Sequence, residues 1–503
     1  MDKSIERGIT LAELLGERDC PEAYKDLRLH GLCQDSRRVE LGDMFFALSG
    51  SKSSGLNFID EAVRRGASAI AVDRALFESI PYPPVPLIPI DNLNISIAKL
   101  ASRFYRNPSE RLHISAVTGT NGKTSCCWLL SDLVHRLGTK TGYIGTLGYG
   151  THAAGLAIKN SILETNLTTP DSISLQKILA EFEAQRVEMV ALEASSHALA
   201  QSRLDGADID DAVFTNLSRD HLDYHLTMAS YGDAKALLFK KPSLKVAVFN
   251  LDDAFSHKLM KKTGSDAQQI TYSLDNPTAD VYCRDIKMDI EGLSAHVVSP
   301  WGEGGLNSPL IGPFNLSNLL AVIAIIGPRY PFLEILSKLP LIKSPAGRME
   351  LINNGEKPSV IVDYAHTPDA LEKVLIALRS HSLGKLWVVF GCGGERDIGK
   401  RSKMGAIAER YADCIVITSD NPRGEKEEAI ISHIKMGMMG KVVVEMDRRS
   451  AIRHAISHAS PDDLILIAGK GHEEYQQLSD QTFRFSDQIQ AKLALNDFTG
   501  AGL

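Results

Sequence analysis

The residues best suited to chemistry in this 503-residue chain are Thr118-Gly119-Thr120-Asn121-Gly122-Lys123-Thr124. They follow an apolar run, 114–117, and open a helix-like run, 126–137. In a strand, glycine turn and helix arrangement, backbone N–H groups can close on a phosphate chain while the helix start adds positive dipole. Lys123 can neutralise terminal phosphates, and the Thr124 hydroxyl can ligate Mg²⁺. The spacing is G-x-x-G-K-T, a shortened form of a pattern that would want a glycine at Val117. Without its Lys-Thr pair the stretch would read as a plain turn.

Other candidates follow further apolar runs. Glu193 ends the run 189–192. A carboxylate there suits a Mg²⁺ ligand, or else a helix N-terminal charge. The segment 216–225 packs donors and acids after the run 212–214. His221 or His225 alone reads as structural; near phosphates either becomes a ligand candidate. Lys235 lies in a helical run, 231–239, and spacing alone makes it a solvated helix lysine.

The elements that must position these residues form an α/β pattern. Length suggests roughly three domains, divided here at 1–109, 110–342 and 343–503. The first unit has strand-like runs at 44–48 and 69–72, with a Ser/Gly/Lys loop at 49–55 that composition reads as a plain surface loop. In the second, the runs 114–117, 189–192, 212–214 and 246–249 each end in polar or glycine-rich residues. Continuous apolar runs alternating with helical patterns predict a parallel sheet. Ligands of such sheets sit beyond the strand carboxyl ends, so these residues should share a rim. The third unit repeats the logic at 360–362, 386–390, 415–418 and 464–468. Pro345 and Gly347 would allow a hinge between the last two units.

Net charge is −7, which does not favour nucleic acid or an anionic membrane as partner. The 44% hydrophobic and 23% charged fractions are those of a soluble globular protein. Seven scattered cysteines without zinc spacing predict reduced thiols in the cytoplasm. The charged start lacks a secretory apolar region, and no stretch of about 18 apolar residues predicts a membrane span.

Taken in order, 118–124, 193–197, 216–225, 312–318, 347–350 and 363–366 resemble the Mur ligases, ATP-dependent amide-forming enzymes of bacterial cell-wall synthesis. The resemblance implies three α/β domains: a UDP-binding N-terminal domain, a central P-loop-type ATPase domain with a parallel sheet, and a Rossmann-like C-terminal domain. Asp420-Asn421-Pro422-Arg423 and Gly469-Lys470-Gly471-His472-Glu473 are similar to motifs of the members that add meso-diaminopimelate to UDP-N-acetylmuramoyl-L-Ala-D-Glu. It implies that Lys123, Glu193, His221 and Lys235 are catalytic, and that Gly119, Thr120, Asn121, Gly122, Lys123, Thr124, Asn315, Arg348 and Asp363 bind ATP. Thr124 and Glu193 would hold one Mg²⁺. His221 and Lys235 would serve a second, with Lys235 carbamylated by CO₂; this reverses the solvated reading.

The UDP-muramyl dipeptide would meet Ser36, Ser51, Lys52, Ser53, Thr168, Thr169, Ser195, Gln201 and Arg203. Many relatives carry Asp-Gly-His or a similar start where this chain has Ser54-Gly55-Leu56-Asn57, which leaves the uridine contacts open. Diaminopimelate would meet Arg396, Asp420, Asn421, Pro422, Arg423, Gly469 and Glu473. Arg423 can grip a distal carboxylate in a two-bond fork but would repel the bare ammonium of lysine. The expected protein is a cytoplasmic monomer acting on small molecules, with no nucleic-acid or membrane partner. The alternatives are a folylpolyglutamate synthetase-like amide ligase and a P-loop ATPase switch.

Overall fold

The computed structural model describes residues 8–49, 54–152, 162–163, 165, 167–264, 266–289, 292–353, 357–379, 381–479 and 481–498. The first unit carries four parallel strands, β1 (Gly31–Cys33), β2 (Asp43–Phe46), β3 (Ala69–Asp73) and β4 (Leu87–Ile90), in sequence order. Helix α1 (Leu93–Phe104) buries Leu93, Ile97, Leu100, Ala101 and Phe104, one stripe at helical spacing.

The second unit is built on β5 (His113–Thr118), α2 (Lys123–Arg136), β6 (Thr141–Gly145), β7 (Gly148–Thr151), α3 (Ser172–Ala184), β8 (Met189–Glu193), β9 (Asp211–Phe214), α4 (Met228–Ala236), β10 (Val246–Asn250) and β11 (Gln268–Tyr272). Its seven strands run in the order β11-β10-β9-β5-β8-β6-β7, parallel except for the edge strand β7. Register places Glu193 opposite Val117, and Phe214 opposite both Thr118 and Phe249. The strand ends therefore share the expected rim. Val117 is 1% exposed in the core beneath the turn, so the position where a longer phosphate loop would want glycine belongs here to the strand.

An antiparallel sheet of β12 (Tyr282–Asp289), β13 (Gly292–Ser299) and β14 (Gly302–Ser308) follows, which the run-by-run reading did not anticipate. Its Leu293, Ala295, Val297 and Leu306 join the core beside α2 and α5 (Pro313–Ile326). Helix α5 is apolar almost all round because it is enclosed.

The third unit has β15 (Glu350–Asn353), β16 (Ser359–Asp363), α6 (Pro368–Arg379), β17 (Leu386–Phe390), α7 (Arg401–Tyr411), β18 (Cys414–Ile417), β19 (Val443–Val444), α8 (Arg448–His458), β20 (Leu464–Ala468), a hairpin β21 (Tyr475–Leu478) and β22 (Gln481–Arg484), and α9 (Asp487–Asn496). The sheet order is β15-β16-β20-β17-β18-β19, with β15 antiparallel. Among the described residues no helix is long and apolar enough to cross a membrane. All seven cysteines are unpaired.

Arg448, at the start of α8, is fully buried and pairs in a fork with Asp487 at 2.7 and 2.8 Å. Its guanidinium also donates to the carbonyls of Ala468 at 2.9 Å and Ser419 at 3.4 Å. It thus ties the strand ends of β18 and β20 to α9. Arg448→Met leaves Asp487 a buried, unpaired charge, a loss expected to cost about 3–5 kcal/mol in urea unfolding of the third unit. Most of that loss should return in the double variant Arg448→Met/Asp487→Leu.

Candidate active site

Gly122 caps α2 at φ +88°, a conformation that favours glycine. A Cβ on Gly119 would stand 1.9 Å from Thr215 Oγ1, so the turn presses directly against the end of β9. Thr215 Oγ1 donates to Asn121 O at 2.6 Å. The Asn216 amide brackets the same residue, accepting from Asn121 N at 2.9 Å and donating to Asn121 O at 3.0 Å. Lys123 Nζ lies inside the turn, donating to Gly119 O and Thr120 O at 2.8 Å each. Burial pulls its pKa down, against the opposing charge of Glu193 and Asp220.

Glu193 is fully buried at the end of β8. One carboxylate oxygen accepts from Tyr143 Oη at 2.7 Å and Thr146 N at 2.9 Å. The other accepts from Thr124 Oγ1 at 2.9 Å and Thr146 Oγ1 at 3.0 Å, and Thr146 Oγ1 reaches Thr168 Oγ1 at 3.2 Å. A carboxylate among hydroxyls beside a phosphate loop is the hard oxygen set that suits Mg²⁺. The residues present therefore fit the metal.

Lys235 corrects the spacing-only reading: it is 1% exposed, not solvated. Helix α4 lies against the phosphate turn, and Lys235 Nζ donates to Gly119 O at 2.9 Å and sits 4.2 Å from the centre of the Tyr231 ring. Burial first, then the charge of Lys123, hold its pKa well below the ordinary lysine range. His221 has φ +52°, and its ring packs edge-on against His197, with centroids 4.8 Å apart, and against Tyr231 at 6.0 Å. Burial lowers its pKa, and burial with His221 pushes His197 down to about 4. The His225 ring makes a 2.9 Å hydrogen bond with Ser196 Oγ, a structural anchoring.

On the same rim Thr169 Oγ1 donates to Glu193 O at 2.6 Å and Ser195 Oγ at 3.1 Å. Arg203 donates to Thr169 O and Gln201 Oε1, each at 3.0 Å, and Gln201 donates to Tyr224 Oη at 3.1 Å. Four of the expected substrate residues thus form one strip. Ser36 lies in the first unit, where its hydroxyl donates to Glu61 at 2.6 Å. Ser51, Lys52 and Ser53 lie outside the described residues.

The third unit meets this rim. Asn121 Nδ2 donates to Asp369 Oδ2 at 2.9 Å, and Ser218 Oγ to the same oxygen at 3.2 Å. Arg348 stacks 4.3 Å over the Tyr364 ring and reaches Thr124 Oγ1 at 3.4 Å, while its buried Nε has no hydrogen-bond partner among the described residues. Asp363 accepts from Met349 N at 2.8 Å, which fixes the backbone beside Arg348. Burial raises its pKa, with Arg348 opposing. Asn315 Nδ2 donates to Ile311 O at 2.8 Å, closing the start of its own helix.

Beyond β18 and β20 the loops interlock. Arg423 has φ +51° and donates from Nη1 to Gly394 O at 2.9 Å, beside exposed Arg396. Asn421 Nδ2 donates to Glu473 Oε2 at 2.8 Å. Lys470, fully buried, contacts Asp420, Asn421 and Glu473. Pro422 and Gly469 shape these two loops.

Six participants were not picked out from sequence: Tyr143, Thr146, Asn216, Tyr364, Asp369 and Lys470. Asn216 and Lys470 stood inside quoted motifs, and Tyr364 directly after Asp363. Thr146 had no local signal, because only the pairing of β6 with β8 brings it to Glu193.

Comparison with known proteins places these features together. The chain matches the family descriptions "Mur ligase family, catalytic domain" over 28–105, "Mur ligase middle domain" over 117–326, and "Mur ligase, glutamate ligase domain" over 347–471. It is 46% identical to the UDP-N-acetylmuramoyl-L-alanyl-D-glutamate–2,6-diaminopimelate ligase of Pseudomonas aeruginosa, over 94% of this chain and 96% of that one. A solved structure of a ligase of that name superposes with TM-score 0.69 at 34% identity, over 97% of this chain and 99% of that one. A folylpolyglutamate synthase of Mycobacterium tuberculosis, solved with ADP and AMPPCP, shares the fold at TM-score 0.62 and 20% identity, over 75% of this chain and 92% of that one.

Gly119→Ala tests the turn. The added methyl meets Thr215 Oγ1, so calorimetry should show ATP affinity falling by about tenfold or more, equivalent to about 1.4 kcal/mol. Circular dichroism should stay unchanged.

Proposed function

The chain belongs to the Mur ligase family, and from that premise we propose that it joins meso-2,6-diaminopimelate to UDP-N-acetylmuramoyl-L-alanyl-D-glutamate, using ATP, in peptidoglycan precursor synthesis. It is an ATP-dependent amide ligase. The observation that supports the acceptor assignment best is the meeting of two loops: Arg348 touches Thr124 of the phosphate turn, while Gly347 lies against Gly471 so closely that a Cβ would come within 2.1 Å of its carbonyl carbon. Phosphate chemistry and acceptor motif thus adjoin. The division 1–109, 110–342 and 343–503 belongs to the same reading, as does a cytoplasmic monomer acting on small molecules.

The difficulty in the reaction is that a carboxylate is a poor electrophile and repels a phosphate. Its activation as an acyl phosphate is mostly positioning and charge stabilisation. In our reading the N–H groups of Gly119–Thr124 cradle the phosphates, and Lys123 leaves its carbonyl partners to neutralise the transferred group. Mg²⁺, held by Thr124 and Glu193, would screen the repulsion between the two anions. Thr169, Ser195, Gln201 and Arg203 orient the dipeptide end, with Thr168 beside them, and Ser36 with Ser51, Lys52 and Ser53 takes the uridine end. Arg348, Asn315 and Asp363 hold the nucleotide. The acceptor amine then attacks the acyl carbon and phosphate leaves.

Arg423 and Arg396 supply guanidinium groups for the acceptor's distal carboxylate. Asp420, Asn421 and Glu473, with the backbone at Pro422 and Gly469, receive an ammonium group. We also propose that Lys235 is carbamylated. Only a neutral amine adds CO₂, and burial, with the charge of Lys123, favours the neutral form of this one. A carbamate would serve with His221 as an anionic oxygen ligand for a second Mg²⁺.

Two outcomes are expected. In a phosphate-release assay with the UDP-muramyl dipeptide, meso-diaminopimelate should outperform L-lysine by about two orders of magnitude or more, as expected when a site built to pair a substrate group meets an analogue that lacks it. Mass spectrometry should find the new amide; equal rates would remove Arg423 from selection. Lys235→Ala should lose nearly all turnover, and ¹³C-bicarbonate should give wild type, but not the variant, a carbamate resonance. That resonance should fade as pH falls, because protonation of the amine opposes CO₂ addition.

A further inference from the structure

The acceptor loops carry a buried cation to which no role has been given. Lys470 is fully enclosed between Gly469, at φ +115°, and Gly471, at φ +54°. Its Nζ donates to Asn421 Oδ1 at 2.9 Å, Glu473 Oε2 at 3.2 Å and Asp420 Oδ1 at 3.5 Å. An ammonium has three donors, and these contacts use all of them. Lys470 therefore has nothing left to offer a ligand, and acts only through its neighbours. Asn421 is held on both sides: its amide nitrogen donates to Glu473 Oε2, and its oxygen also accepts from Gln477 N at 2.9 Å.

We propose that Lys470 is the positioning residue that sets the charge of the acceptor subsite: its ammonium keeps Asp420 and Glu473 ionised together and aims Glu473 and Asn421 at a single ammonium group of the incoming amino acid. This rests on the acceptor reading above. Two carboxylates and one buried ammonium leave one net negative charge, which matches one substrate ammonium. Without the cation, two carboxylates in a shared enclosed site would hold one proton; the net charge stays the same, but the proton falls on Glu473 and takes away its ionised oxygens.

The surroundings agree. Burial raises the Glu473 pKa and Lys470 opposes it, with Asp420 adding to the rise. Burial also acts to raise Asp420, but Lys470, Arg448, His366 and Lys400 outweigh it and hold it low. The remaining groups facing the cluster are Tyr364, beside Glu473, and Tyr475, whose ring centre is 5.6 Å from Lys470 Nζ and which Arg423 and Arg396 also face. Arg448 is committed to Asp487, so Lys470 is the cation in direct contact with both carboxylates.

The test uses full-length Lys470→Met and Lys470→Gln, with KM for meso-diaminopimelate, KM for ATP and kcat measured from about pH 6 to about pH 9, a range above the ordinary carboxylate pKa values. At neutral pH the acceptor KM should rise about tenfold or more, because the retained proton sits on Glu473 and removes the carboxylate that meets the substrate ammonium. It should recover as pH rises, while the ATP KM stays within about twofold, as expected when only one subsite's charge changes. In Lys470→Met/Asp420→Asn no second carboxylate raises the Glu473 pKa, so Glu473 stays ionised and the acceptor KM should lose its pH dependence, whatever its absolute value. An unchanged acceptor KM in the single variants, or one raised equally at every pH, overturns the proposal. So does a parallel rise in the ATP KM. Should the single variants fail to fold, the double variant decides: folding with a flat profile supports charge-setting, and failure to fold assigns Lys470 to structure alone. Wild type run alongside separates the two readings, since absence of amide product there defeats the acceptor assignment itself.

Discussion

A buried carboxylate beside a phosphate site is electrostatically unfavourable unless positive charge lies between them. Glu193 is such a carboxylate, and the rest of the second unit is arranged around that constraint. Hydroxyl groups of Thr124 and Thr146, the Tyr143 phenol and one backbone N–H satisfy its oxygens. These partners can share it with a metal ion without leaving it exposed. Lys123 and Lys235 both donate to Gly119 O. Burial lowers both pKa values, and the charge of Lys123 adds to the fall at Lys235. The site thus holds labile charge at a locus that net charge, at −7, would not reveal.

The same constraint explains why the third unit matters. In the proposed reading the first rim supplies phosphate and metal ligands but no acceptor site. Asp369 and Arg348 attach the second rim to it, through Asn121, Ser218 and Thr124. Arg348 lies over Tyr364, and the adjacent Gly347 touches Gly471. A movement of the third unit would therefore displace Arg348 at the phosphate turn and the loop of Gly471 together, which in the proposed reading are nucleotide and acceptor contacts. Coupling of that kind suits a reaction in which an activated acid must be met by an amine rather than by water.

Much of the fold was legible because buried parallel strands leave an unmistakable pattern. The runs 386–390 and 464–468 match β17 and β20 residue for residue, and the runs of the second unit match β5, β8, β9 and β10 to within a residue or two at their ends. The phosphate turn was legible for a different reason: glycines, lysine and threonine are needed there at fixed backbone positions, so the chemistry is local. Strands β12–β14 were missed. β14, Gly-Glu-Gly-Gly-Leu-Asn-Ser, reads as a loop, and its buried Leu306 gains meaning only in the core beside α5.

Sequence by itself determined the strand–turn–helix units, the motifs at their ends and the family to which they point, since each depends on residues near one another in the chain. Tertiary structure decided which side chains are enclosed. Lys235 changed from a solvated lysine to a buried amine because α4 lies against a turn more than a hundred residues earlier. Lys470 became a bridge between two carboxylates because β18 and β20 bring their ends together across β17. Burial and charge pairing depend on what the folded chain places opposite a residue, and a linear pattern carries no record of that.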